Sequence, residues 1–269
     1  MNTLRLERDG TVARLVLNRP DRLNSFTPEM WREMAELGQE LRDDTALRAL
    51  IVIGEGRAFS SGIDTSVFGG DGLDTSAVRA DGRHDDPAVA AVLQTQDAYT
   101  WLEEAPFATI AAVRGYALGA GLQLALACDM RVMARGTQVG LLEFKYGIIP
   151  DLGGTQRLPR LVGAGKAKEL IFTSSRIDAD EAAHIGMVEQ LVDDADLDAA
   201  ADELARTIAA QPPLAVRAAK RAVNVAGTLP VRDGLAVEAE GQATCLRSDD
   251  MKEAIAAFIE QRTPNYQGR

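Results

Sequence analysis

The chain has 269 residues, 46% of them hydrophobic, which suits one main α/β domain with a smaller appendage. Its formal net charge of −11 repels phosphate backbones and argues against a nucleic acid as the main partner. The cysteines Cys128 and Cys245 lie far apart with no CxxC or Cys/His spacing, so we expect neither a metal site nor a disulfide framework.

The N-terminal part predicts a hairpin, a helix and a strand, in that order. Apolar residues alternate on both sides of Asp9-Gly10, which is a strong turn dipeptide. Thr27 and Pro28 are typical of a helix start, and LRALIVIGEG at 47–56 predicts a buried strand. The helix carries an apolar stripe made of Met30, Met34, Leu37 and Leu41.

The middle of the chain alternates strands with helices, which favours parallel pairing. Residues 66–90 are rich in Gly and Asp without a steady period, and we interpret them as a long loop or lid, with a helix resuming near Pro87. Strands are predicted at ATIAAVRG (108–115) and DMRVMAR (129–135), with a helix beginning in GAGLQLALACD (119–129) between them.

After about residue 156 the pattern becomes mostly helical. Asp178 and Asp196 are expected to cap two of these helices. We therefore expect a core at 1–205 and a helical region at 206–269. The N-terminus has no apolar signal core, and no window of about 18 residues is apolar throughout, so we expect no membrane span and a cytoplasmic protein.

Two stretches of small residues follow predicted strands. GRAFSSGID at 56–64 is either a loop that offers main-chain N–H groups to a ligand or an ordinary tight turn. Its serines lack a G-x-S-x-G elbow, and the histidines at 84 and 184 do not suggest a triad. GAGLQ at 119–123 either places N–H donors at a helix start, where they can bind an anion, or only allows the helix to pack closely on a strand. Leu124 stands where a dinucleotide-binding fingerprint has its third glycine, so such a fingerprint is disfavoured.

A third stretch, LEFKYGIIPD at 142–151, sets Glu143 and Asp151 on either side of an apolar bend. A carboxyl group in apolar surroundings has a raised pKa and can shuttle a proton near neutral pH. The alternative is a pair of exposed loop acids, since the chain has 40 acidic residues.

Taken together, the sequence resembles the crotonase superfamily, the enoyl-CoA hydratases and isomerases. The resemblance is carried in order along nearly the whole chain by NRPDRLNSF, GRAFSSGID, GYALGAGLQLALACD, GIIPDLGGTQRLPR, IDADEAAHIGMVEQLV and the tail SDDMKEAIAAFIEQRTPNY. It implies an α/β fold built as a spiral of repeated β-β-α units with a C-terminal helical region. It also implies a homotrimer or a dimer of trimers.

The substrate implied by the resemblance is an acyl-CoA thioester, with coenzyme A as part of the substrate and no separate cofactor. By motif position, the N–H groups of Ile63 and Ala120 would form an oxyanion hole for the thioester oxygen. Of the family's acid positions, Glu143 and Asp151 carry acids, but Gln123 does not. A neutral amide cannot take a proton from water.

The resemblance therefore favours double-bond isomerisation of an enoyl-CoA or dienoyl-CoA, with Glu143 and Asp151 as catalytic residues. The alternatives are hydration, with Asp151 replacing the missing acid, and acyl-CoA binding without turnover. Further substrate-binding residues are expected by motif position; they are Arg22, Leu23, Ser61, Asp64, Thr65, Leu118, Gly119, Gln123, Leu142 and Pro150. Phe258 in the tail would close the pocket of a neighbouring subunit or belong to the core.

Overall fold

A computed structural model of the protein describes residues 1–68 and 84–269. The predicted lid at 66–90 falls mostly on residues 69–83 and so lies largely outside the described part. The strands are β1 (Leu4–Asp9), β2 (Val12–Leu17), β3 (Ala49–Gly54), β4 (Ala108–Val113), β5 (Tyr116–Leu118), β6 (Met130–Ala134), β7 (Gln138–Gly140), β8 (Ile177–Asp178) and β9 (Gln190–Val192). The helices are α1 (Pro28–Leu41), α2 (Pro87–Glu104), α3 (Ala120–Ala127), α4 (Gly154–Thr173), α5 (Ala179–His184), α6 (Leu197–Ala209), α7 (Pro213–Val225), α8 (Val231–Arg247) and α9 (Asp249–Glu260).

The strands form two sheets. The larger sheet has the order β1-β2-β3-β4-β6-β9, in which only the predicted hairpin β1–β2 is antiparallel. The smaller sheet has the order β5-β7-β8. The run β4–β5–α3 is followed by β6–β7–α4, so each β-β-α unit gives one strand to each sheet and then a helix. The α/β class is thereby confirmed.

Local sequence explains the longer elements. The Thr27 side chain accepts a hydrogen bond from the Met30 N–H at 3.3 Å and caps α1, whose predicted apolar stripe is fully buried. Every residue of β3 and β4 is buried, as expected for parallel strands covered on both faces. Asp178 caps α5 as predicted, with Glu181 N–H at 2.9 Å from its carboxylate.

The prediction for Asp196 is wrong in one respect. Residue 196 directly precedes α6, but its side chain makes no capping hydrogen bond, because a short 3₁₀ turn at Asp194–Asp196 already leads the backbone into the helix. The boundary near residue 205 falls inside α6, where Ala205 and Ala209 are buried against the larger sheet. Because α6 packs as one unit on the core, any boundary there belongs after the helix; the division into two domains stays a prediction.

Candidate active site

The site is built where the loop after β3 runs beside β5. Ser60 pairs with Ala117 in a parallel bridge, with Ser60 N–H on Tyr116 O at 2.8 Å and Leu118 N–H on Ser60 O at 3.0 Å. The Ser60 hydroxyl donates to Asn24 O at 2.8 Å and is fully buried, so it acts as a structural tie. Two stretches that are about 60 residues apart in sequence are thus held together by backbone hydrogen bonds.

Glycines allow these two loops to touch. Gly62 has φ +101°, and a Cβ added there would lie 2.8 Å from Leu118 O and 3.8 Å from Ala120 N. Gly119 has φ +51° and ψ −121°, a conformation that other residues rarely adopt. The two stretches of small residues are therefore in backbone contact, and the roles of Ile63 and Ala120 stay predictions.

The backbone leaves two N–H groups available at the contact. Gly62 O accepts from Phe26 N–H and Asp64 N–H donates to Phe26 O, so the Ile63 N–H points away from that pairing. Ala120 is the first residue of α3, where an N–H has no acceptor within the helix. Within residues 1–68 and 84–269, neither N–H has a hydrogen-bond acceptor.

Glu143 begins a 3₁₀ turn at Glu143–Tyr146 and is 4% exposed. Its Oε1 accepts a hydrogen bond of 2.8 Å from the Gln123 amide, whereas its Oε2 is buried and has no partner among the described residues. Burial raises the pKa of Glu143 to about 7, and the charge of Asp151 adds to the rise while the Gln123 hydrogen bond opposes it. Its Oε1 would lie 3.3 Å from a Cβ on Gly119, so this base sits beside the available N–H groups.

Gln123 joins three parts of the site. It lies on α3 and is 1% exposed. Its carbonyl oxygen accepts from Leu152 N–H at 2.8 Å and from Gly154 N–H at 2.9 Å, while its amide nitrogen donates to Glu143. All of these bonds are internal to the protein, so the side chain is engaged before any substrate arrives.

Asp151 lies in the same loop and is half-buried, which raises the pKa of its carboxyl. Its backbone oxygen accepts from the Gln96 side chain at 2.6 Å. Arg157 donates to Leu152 O at 3.1 Å and pairs with Glu103 at 3.0 Å. The loop is therefore tied to α2 and α4 through the backbone oxygens of residues 151 and 152.

The other predicted substrate-binding residues differ in their burial and in their hydrogen bonds. Leu23 O accepts from Ser61 N–H at 2.9 Å, which places these two residues together at the edge of the site. Arg22 and Thr65 are exposed, and no hydrogen bond or ion pair of their side chains is found among the described residues. Of three further predicted residues, Leu118 and Pro150 are buried and Leu142 is half-buried.

Asp64 is already neutralised by the protein. Its carboxylate pairs with Arg19 at 2.9 Å and accepts from Ser25 at 3.1 Å and from the Ser66 hydroxyl at 2.8 Å. The Ser66 hydrogen bonds are the largest of the influences that hold the pKa of Asp64 well below its usual range. With these partners, Asp64 is better placed to shape the loop after Ile63 than to receive a proton.

Comparison with known proteins shows which family the chain belongs to. The family model described as enoyl-CoA hydratase/isomerase matches residues 7–269. The chain belongs to the enoyl-CoA hydratase/isomerase family. The predicted membership is confirmed, and the protein is an enzyme of the enoyl-CoA hydratase/isomerase type.

Named relatives within the family include a hydratase and an isomerase. Putative enoyl-CoA hydratase/isomerase YngF of Bacillus subtilis is 38% identical over 96% of this chain and 95% of its own. A short-chain-enoyl-CoA hydratase of Clostridium acetobutylicum is 36% identical (97% and 96% covered), and a 1,2-epoxyphenylacetyl-CoA isomerase of Escherichia coli is 35% identical (96% and 95% covered).

Solved structures confirm the predicted fold. The crystal structure of an enoyl-CoA hydratase from Bacillus anthracis superposes with a TM-score of 0.89 at 34% identity, covering 99% of this chain and 100% of that one. A putative enoyl-CoA hydratase from Thermobifida fusca in complex with acetoacetyl-CoA gives a TM-score of 0.79 at 39% identity, covering 91% of this chain and 95% of that one.

Two neighbours of the site in this hydratase/isomerase family member were not selected from the sequence. Arg19 lies within NRPDRLNSF, but the motif alone does not show that this residue pairs with Asp64. Tyr99 on α2 is fully buried, and its hydroxyl accepts from the Trp31 indole N–H at 3.3 Å. Burial raises the pKa of Tyr99 well above its usual value, and the charges of Glu143 and Asp151 add to this. Only the three-dimensional packing brings Tyr99 toward the two acids.

Other features do not add a second centre. A cleft of about 480 Å³ lies between α1 and α2 and is lined by residues that include Arg42, Gln94 and Glu104, none of them predicted for the site. Within the described ranges, no group of three or more His, Cys, Asp or Glu side chains could hold a metal ion. No helix in the same residues is long and apolar enough to cross a membrane. The cytoplasmic location and the lack of a separate cofactor stay predictions.

Proposed function

We propose that the protein isomerises a carbon–carbon double bond in an acyl-CoA thioester, either an enoyl-CoA or a dienoyl-CoA. The N–H groups of Ile63 and Ala120 would hold the thioester oxygen. Donors that are fixed before charge develops stabilise an oxyanion most, and the loss of one costs about 3 kcal/mol in comparable sites. Support comes from the contact between the two loops and from the lack of an acceptor for either N–H group among residues 1–68 and 84–269.

The proton is carried by Glu143 in this proposal. Glu143 removes a proton from the α-carbon of a 3-enoyl thioester, and the electron pair of the broken C–H bond moves onto the thioester oxygen. The protonated Glu143 then gives the same proton to the γ-carbon, and the double bond is left between the α- and β-carbons. A pKa of about 7 suits both halves of this cycle at neutral pH, because the group can both accept and return the proton.

The observation that favours isomerisation is the engagement of Gln123. Hydration by the usual family mechanism uses two carboxylates to hold and activate water, and here the second position is an amide whose oxygen is taken by two backbone N–H groups. Asp151 is a half-buried acid that could share the proton transfer.

Hydration is the second candidate. It is favoured by the name of the Clostridium acetobutylicum relative, a short-chain-enoyl-CoA hydratase. In that reaction Asp151 would serve as the second carboxylate, because position 123 carries an amide. The raised pKa of the Asp151 carboxyl is compatible with this role.

One set of assays separates the candidates. The protein is incubated with a trans-2-enoyl-CoA, a 3-enoyl-CoA and a dienoyl-CoA, and each product is followed by absorbance and mass. We expect altered absorbance at unchanged mass; a gain of one water would establish hydration instead. Saturable binding without either change would refute both reactions. Glu143→Gln should reduce turnover roughly 100- to 10,000-fold and leave binding nearly intact, and a near-normal rate with an inactive Asp151→Asn would reverse the two roles.

We also propose a homotrimer or a dimer of trimers. Support comes from large apolar side chains exposed on the last two helices; these are Val231, Leu235, Leu246, Ile255, Phe258 and Ile259. Phe258 is 85% exposed, so it is not a core residue of its own chain, and it is suited to contact a neighbouring subunit. Sedimentation equilibrium should give three or six chains; a monomer at micromolar concentration would refute this assembly.

A further inference from the structure

Gln123 occupies a position where its carboxamide can point only one way. The two backbone N–H groups of Leu152 and Gly154 both need an acceptor, and they lie 2.8 and 2.9 Å from one end of the side chain. A carboxamide nitrogen cannot accept these bonds, so that end must be the oxygen. The amide nitrogen is then fixed toward Glu143 at 2.8 Å.

This orientation makes the two oxygens of Glu143 unequal. Oε1 receives the Gln123 donor, whereas Oε2 is buried without a partner among the described residues. Deprotonated Oε1 gains from the donor, and a proton on Oε1 would meet an N–H and lose that bond. A proton on Glu143 therefore belongs on Oε2.

We propose that Gln123 is a positioning residue that selects Oε2 as the proton-carrying atom of Glu143 and couples Glu143 to the backbone of the Asp151 loop. The selection of Oε2 requires a neutral side chain at position 123, because a carboxylate in the same place would face Oε1 at hydrogen-bond distance and compete for one shared proton. The consequence for catalysis rests on the proposed function, but the selection of Oε2 does not.

The other titratable groups that face Glu143 in the described part of the chain are Asp151, on the loop before α4, and Tyr99, on α2. The charge of Asp151 raises the pKa of Glu143, and the charge of Glu143 in turn raises the pKa of Tyr99. Neither group is itself substituted in the Gln123 variants. Gln123→Glu also keeps the acceptor that holds the Asp151 loop through Leu152 and Gly154, so a shift in the titration of Glu143 in that variant is assigned to the replaced carboxamide.

Two variants separate the two tasks of the side chain. Gln123→Glu keeps an acceptor for Leu152 and Gly154 but replaces the donor to Glu143 with a second acid. Gln123→Met has similar length and loses both the acceptor and the donor. Gln156→Glu is the matched control, since it makes the same chemical change at an exposed residue two positions beyond Gly154.

The first readout needs no substrate. Carbon-13 titration of labelled glutamate carboxyls, with the Glu143 signal assigned by its loss in Glu143→Gln, gives the protonation midpoint directly. In Gln123→Glu the last proton of the pair should leave about one pH unit or more above the wild-type midpoint. Gln123→Met should also move the midpoint upward, because a bond to the charged form is lost, and Gln156→Glu should leave it unchanged.

Amide hydrogen exchange is the second readout. The Leu152 and Gly154 amides should exchange at least about tenfold faster in Gln123→Met, because they lose their acceptor, but should stay protected in Gln123→Glu. If a substrate is turned over, the acidic limb of the rate against pH should follow the carboxyl titration in each variant, with kcat changed more than KM.

Unchanged carboxyl midpoints in both Gln123 variants would overturn the proposal, as would unchanged exchange at Leu152 and Gly154 in Gln123→Met. If Gln123→Met fails to fold, the midpoint in the near-isosteric Gln123→Glu decides alone. If the wild-type protein converts no enoyl-CoA, the proposed function fails, whereas the two substrate-free readouts still decide what Gln123 does.

Discussion

The buried carboxyl of Glu143 should weaken the fold as the pH rises. Its pKa is raised from the ordinary 4.5 to about 7 because burial penalises the charged form. The folded state therefore holds this proton more tightly than the unfolded chain does. The stability that the proton contributes is fully present below about pH 4.5 and is lost as the pH rises through about 7.

The substitution Glu143→Gln removes this dependence. The amide oxygen that it introduces can still accept the hydrogen bond from Gln123, so the packing is conserved. Raising the pKa from 4.5 to about 7 corresponds to about 3 kcal/mol of proton-binding free energy, at roughly 1.4 kcal/mol for each pKa unit. Relative to the variant, the wild-type protein should lose about 3 kcal/mol of unfolding free energy between about pH 4.5 and pH 8.

Urea unfolding at a series of pH values measures this difference, with the protein concentration held constant because assembly also contributes. Glu40→Gln, at an exposed position on α1, is the control and should alter the difference by less than about 0.5 kcal/mol. If the unfolding free energies of the wild type and Glu143→Gln change with pH in parallel across this range, the assignment of a buried, proton-binding carboxyl is refuted.

Two further substitutions test other parts of the structure. Gly119→Ala forces a strained backbone and sets a Cβ 3.3 Å from Glu143 Oε1, so turnover should fall at least about tenfold; Gly136→Ala, at φ +79° with open space around it, should lose stability but keep the rate, and equal rates in both would contradict the contact. Lys220→Met should cost about 3 kcal/mol in denaturant unfolding, because it removes the cation that pairs with the mostly buried Asp129 at 2.8 Å, and a loss below about 1 kcal/mol would contradict this.

The sequence predicted the elements whose signals are local. The alternation around Asp9-Gly10, the apolar run of β3 and the stripe of α1 each lie within one element, and each appears in the structure. The strands β5, β7 and β8 are only two or three residues long. Their pairing is decided by distant partners, so no local pattern could reveal them.

The candidate site shows the same division. Motif position was enough to select Gln123, Glu143 and Asp151, and the structure holds the first two in direct contact. The direction of the Gln123 carboxamide depends on two N–H groups about 30 residues later, and the burial of Tyr99 depends on packing between helices. Such facts follow from tertiary structure and have no counterpart in residue spacing.

A crystal structure with a bound, non-reactive thioester analogue of an enoyl-CoA tests the central claim most directly. We predict that the thioester oxygen lies within hydrogen-bond distance of both Ile63 N and Ala120 N, roughly 2.7–3.1 Å. The α-carbon should then face Glu143 Oε2. A thioester oxygen bound away from these two N–H groups would contradict the account, whatever roles the acidic side chains were then given.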